Sequence, residues 1–92
     1  MDRIDEVALH VYHAMFGNQE SVMIEGKRYP IRKTHRLGLR IVEAGQYVFL
    51  EQNPEKDSRF GAMARKGKKI LCVIEDGDYA AFVMDGEYRG FK

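Results

Sequence analysis

Nucleophiles are scarce in this chain. Outside tyrosine, the only hydroxyl or thiol side chains are Ser21, Ser58, Thr34 and Cys72. None stands in the glycine-flanked strand-to-helix turn that exposes a catalytic serine, and Ser58 is better placed as a helix cap. There is no glycine-rich dinucleotide or phosphate loop and no cysteine/histidine pattern with zinc spacing. His35, in IRKTHRL, has the chemistry of an acid or base for a phosphodiester, with Glu51 or Glu55 as its partner. It is more simply a turn residue in a basic connection. Glu6, His10 and His13 recur at helical spacing and form a candidate metal-ligating face. Two imidazoles and one carboxylate without a fourth ligand are more simply a solvated surface. No catalytic residue, metal ligand or cofactor is assigned, and the chain reads as a non-enzyme.

Phosphate contact is the chemistry the sequence favours. Residues 1–26 carry a net charge of −4, residues 27–69 carry +8 and residues 70–92 carry −3, recovering the overall +1. Lys27, Arg28, Arg32, Lys33, Arg36 and Arg40 fall within fourteen residues that contain no acid. Lys56, Arg59, Arg65, Lys66, Lys68 and Lys69 form a second cluster. If Tyr29, Ile31, Leu39 and Ile41 point inward, strand alternation turns Arg28, Arg32 and Arg40 outward, as phosphate contact requires. Any soluble sheet also needs a charged outer face; separation of the charges by sign is what favours binding.

The elements that position these residues are set by turns. In KILCVIE–DG–DYAAFVM–DG–EYRGF, each Asp-Gly pair supplies the two positive-φ positions of a type I′ turn. A three-stranded meander follows, with Gly77 and Gly86 at positive φ. A regular ladder from Asp76-Gly77 sets Ile74 opposite Tyr79, Cys72 opposite Ala81, Ile70 opposite Val83 and Leu71 opposite Phe82. Both faces are apolar, so both must be covered. Residues 3–16 repeat Ile4, Val7, Ala8, Val11 and Met15 at helical spacing, with Asp2 as N-cap and Gly17-Asn18 as the left-handed stop. This helix is expected to lie over one face of the sheet.

Between them, a II′ turn starting at Gly26 pairs Ile24 with Tyr29 and Val22 with Ile31, and Pro30 requires the second strand to lie at an edge there or to carry a bulge. A hairpin about Ala44-Gly45 groups Leu39, Ile41, Val48 and Leu50 on one face. Arg40, Val42, Tyr47 and Phe49 share the other, with Arg40 opposite Phe49, and Gly38 marks a bend. If that face is open, Tyr47 and Phe49 are rings for base stacking; if the helix covers it, they are core, which is the preferred reading. After Asn53-Pro54, Asp57 or Ser58 caps a short helix ending at Gly67, with Phe60, Met63 and Ala64 as its apolar stripe.

Ninety-two residues with 45% hydrophobic and 32% charged side chains suit one folded domain spanning 1–92. The fold class is α+β: an N-terminal helix on a mainly antiparallel sheet of hairpins, whose pattern also permits closure into a barrel, with a short helix before the C-terminal meander. Cys72 is alone within ILCVI, which excludes an internal disulfide and predicts a buried thiol in a reducing, cytoplasmic setting. No basic leader precedes the first helix, and no apolar run approaches the roughly 18 residues of a membrane span.

The sequence does not decide the function. The reading it favours is a small nucleic-acid-binding module for RNA or DNA, using Lys27, Arg28, Arg32, Lys33, Arg36, Arg40, Arg59, Arg65, Lys66, Lys68 and Lys69. The alternative is a homo-oligomeric interaction module, joined by complementary charge or by the edge strand Glu87–Phe91. An enzyme of unrecognised type ranks third.

Overall fold

A computed structural model describes residues 3–35, 38–52 and 69–90. The elements are α1 (Ile4–Phe16), β1 (Ser21–Ile24), β2 (Lys27–Pro30), β3 (Arg32–Lys33), β4 (Arg40–Ala44), β5 (Tyr47–Glu51), β6 (Ile70–Glu75), β7 (Asp78–Met84) and β8 (Glu87–Gly90). β1 and β2 form a two-stranded sheet, and β3 to β8 form a six-stranded antiparallel sheet in chain order. That sheet is open, so the barrel is not formed. The short helix expected before the meander lies outside the described residues. No helix among the described residues is long and apolar enough to cross a membrane.

The helix forms where its periodicity requires. Val7, Ala8, Val11, Tyr12, Ala14 and Met15 are buried along one stripe. Arg3 is the N-cap and makes no side-chain capping bond; the expected cap, Asp2, lies outside the described residues. At the other end Asn18, at φ 59°, takes the left-handed conformation that stops the helix. The stripe packs on Val42, Phe49, Leu71, Val73, Ala81 and Val83 of the large sheet and on Val22 and Ile24 of the small one. Phe49 is fully buried at the centre. It is therefore core, not a stacking surface.

Three registers differ from the turn-based expectation. The β1–β2 turn is Glu25-Gly26, at φ 50° and 79°, so Ile24 stands opposite Lys27 and Val22 opposite Tyr29. Both turn positions then match the strand twist of a I′ hairpin. The β4–β5 turn is Gly45-Gln46, with Gly45 at φ 64°, which pairs Ala44 with Tyr47 and Val42 with Phe49. Each of these slips is two residues, so every side chain keeps its face.

The third difference is a bulge. Ile74 pairs with Tyr79 as expected, but Val73 pairs with Ala81, Cys72 with Phe82, Leu71 with Val83 and Ile70 with Met84. Ala80 is the extra residue, and beyond it β7 is turned over. Ala81 and Val83 thereby join Leu71 and Val73 beneath the helix. Phe82 and Met84 join Ile70, Cys72 and Tyr79 in a second cluster on the opposite face. A straight ladder would have mixed these sets. Gly77 (φ 88°) and Gly86 (φ 81°), preceded by Asp76 and Asp85 at φ 51° and 53°, form the two I′ turns.

Candidate nucleic-acid interface

Four of the candidate cations are displayed along one contiguous segment. Lys27 and Arg28 lie on β2 and Arg32 and Lys33 on β3, and all four are exposed. β3 is an end strand of the six-stranded sheet, and Pro30 closes β2 where it cannot donate to a further ladder. Arg28 stands opposite Met23, the one exposed large hydrophobic side chain among the described residues, at 43% exposure. Its Nη1 donates to Ser21 Oγ at 2.8 Å, which steadies the side chain and leaves its charge uncompensated. Lys27, Arg28, Arg32 and Lys33 form no ion pair among the described residues. Arg32, opposite Ile41, projects from the face away from the helix, whereas Lys33, opposite Arg40, projects on the helix side.

Arg40 does not point outward as the alternation suggested. The observed register places it opposite Glu51, on the helix side, and the two form a bidentate pair: Nε to Oε1 at 3.1 Å and Nη2 to Oε2 at 3.0 Å. The Arg40 backbone N–H also donates to Glu51 Oε1 at 2.9 Å. Nη1 donates to the Met15 carbonyl at 2.6 Å, near the helix C-terminus where a cation complements the dipole. The guanidinium carbon lies 4.8 Å from the centre of the Phe16 ring, and Lys69 Nζ lies 5.8 Å from the same centre. Burial pushes the Glu51 carboxyl up, but the Arg40 hydrogen bonds and the charges of Arg40 and Lys33 outweigh it and hold the group below its ordinary value. Arg40 thus joins helix, sheet and carboxylate, and its charge is spent within the fold.

Beside this pair lies a cleft of about 840 Å³ lined by Asn18, Gln19, Glu20, Ile31, Lys33, Gly38, Arg40 and Glu51. Its described lining holds two cations, Lys33 and Arg40, and two carboxylates, Glu20 and Glu51. Arg36, Arg59, Arg65, Lys66 and Lys68 lie outside the described residues; Lys69 is exposed just before β6. Among the described residues, the candidate cations that follow one another along the β2–β3 segment are Lys27, Arg28, Arg32 and Lys33, with Arg32 and Lys33 on opposite faces.

The other candidates do not assemble. His35 is exposed in the β3–β4 connection, and Glu51 is held by Arg40; Glu55 lies outside the described residues. Glu6 and His10 border a small groove with Met23, while His13 packs edge-on against Tyr12, with ring centres 5.4 Å apart. No group of three or more His, Cys, Asp or Glu among the described residues is placed to hold a metal. Tyr47 is half-buried and its hydroxyl donates to Glu75 Oε2 at 3.2 Å. It lines a second cleft, of about 540 Å³, with Tyr79, Tyr88, Glu75, Asp76 and Asp78. The DGD of the turn signals those acids in the sequence; the tyrosines around them come from three strands and leave no local signature.

Comparison with known proteins places none beside this chain: no family model, curated protein or solved structure matches it.

Proposed function

We propose that this protein is a small non-enzymatic module that binds nucleic acid through its phosphate backbone, along the basic edge formed by β2 and β3. The observation that carries the reading is the run from Lys27 to Lys33, with four exposed cations and no acid within it. Lys and Arg heads already in water lose little solvation when phosphates replace their counterions, and released counterions drive the association. Extended at about 3.3 Å per residue, the run spans roughly 20 Å, the length of several phosphates on one strand. Phe49 is inside the core, so base stacking is not part of the reading. Recognition then follows charge density, and duplex should bind at least as well as single strands.

Fluorescence-anisotropy titration of labelled oligonucleotides tests this. The wild type should bind both forms at low salt, with a log-log salt slope of up to about 3–4 if each of the four cations meets a phosphate. Replacing Lys27, Arg28, Arg32 and Lys33 together with Gln should remove most of the affinity and nearly all of that slope. Absence of binding at low salt, or binding indifferent to the fourfold replacement, would overturn the proposal.

A further inference from the structure

β8 ends the six-stranded sheet at the side opposite β3, so one of its two sides has no neighbour. Hairpin geometry fixes what that side presents. The residues flanking a two-residue turn exchange both backbone hydrogen bonds, and Met84 and Glu87 flank Asp85-Gly86. Glu87 and, by alternation, Arg89 therefore direct their backbone groups to β7. Tyr88 and Gly90 direct theirs outward, where no backbone partner among the described residues meets them. Neither proline nor lysine blunts this edge, and Gly90 leaves it uncovered.

We propose that β8 pairs antiparallel with β8 of a second copy of this chain, across a two-fold axis passing between the two Tyr88 residues. Side-chain charge selects that register. Centred on Tyr88, the pairing sets Glu87 of each copy opposite Arg89 of the other, giving two complementary contacts. Centred on Arg89, it sets the two Arg89 side chains opposite each other in a non-hydrogen-bonded pair, where side chains approach most closely and like charges oppose pairing. Within one chain Glu87 and Arg89 already meet at 2.8 Å, and they keep 70% and 50% of their side-chain surface exposed. Both heads are therefore in water and within reach of a partner across the axis. The contact is self-complementary, so it closes at two copies and does not propagate. It leaves the basic edge at the far end of each sheet free, so it stands or falls separately from nucleic-acid binding.

Sedimentation velocity over a range of protein concentrations at low salt provides the test, with circular dichroism melts to verify folding of each variant. The wild type should show a reversible monomer–dimer equilibrium. Glu87→Arg alone and Arg89→Glu alone each place like charges across the axis and should raise the dimer dissociation constant by about tenfold or more. Mixing these two variants should restore association as a heterodimer, and the doubly exchanged chain should dimerise on its own. A wild type that stays monomeric overturns the proposal. So does a dimer that both single variants leave at wild-type strength, or a loss that mixing does not repair.

Discussion

Replacing Arg40 with Met keeps most of the aliphatic stem against Phe16 and removes the guanidinium. The Glu51 carboxylate then loses its bidentate partner and the Met15 carbonyl loses its donor. A fully buried pair broken in this way costs roughly 3–5 kcal/mol, and an exposed one roughly 0–1. The two side chains keep 23% and 21% of their surface exposed, so water partly re-solvates the stranded carboxylate. The expected loss lies between those limits, about 2 kcal/mol. For a domain of this size that lowers Tm by roughly 8–16 °C.

The pH dependence provides a second readout. Glu51 titrates below its ordinary value in the folded chain, so its contribution is present above the unfolded carboxylate value near 4.5 and is lost as pH falls through the lowered folded value. Arg40→Met should lack that part of the acid sensitivity. Urea unfolding of Arg40→Met, Glu51→Gln and the double variant at neutral pH should give a coupling energy of about 1–2 kcal/mol. A loss under about 0.5 kcal/mol, or strictly additive single variants, would show that the pair does not stabilise the β4–β5 end of the sheet.

Phe49→Ala should cost about 3–5 kcal/mol in urea unfolding, because the ring is fully buried between helix and sheet; a loss under 1 kcal/mol would remove it from the core. Gly86→Val should destabilise by about 1 kcal/mol or more in thermal melts. A Cβ there meets nothing within 4 Å, so the cost is the φ of 81° alone, and an unchanged Tm would refute the I′ assignment. Cys72 is completely buried, so Ellman's reagent should react with the native protein only at the rate of opening and promptly in denaturant; immediate native labelling would contradict its burial.

Features set by local covalent geometry were legible in the residues. Asp-Gly pairs accept positive φ at little cost, so the meander and its two I′ turns follow from the dipeptides. The Ile4–Met15 spacing forces a buried stripe wherever the helix docks. Cys72, flanked by Leu71 and Val73, had no route to solvent. An isolated glycine is less informative, because it fits either position of a tight turn. Gly26 proved to be second and Gly45 first, which moved both registers by two residues and replaced Phe49 with Glu51 as the partner of Arg40. The bulge at Ala80 had no side-chain signature at all; it is favoured because it sorts β7 into two apolar sets, a benefit that exists only once both faces are covered. The same two-sided burial explains the basic residues. Alternation separated Arg28 from Tyr29 and Arg32 from Ile31, but the register sets Arg32 on the same face as Ile41 and turns Arg40 to the helix, because a sheet apolar on both faces gives no sign of which one the helix covers. Docking of α1 decided that, turning Arg40 into a structural ion pair, while Lys27, Arg28, Arg32, Lys33 and Lys69 are the exposed members of the candidate set among the described residues.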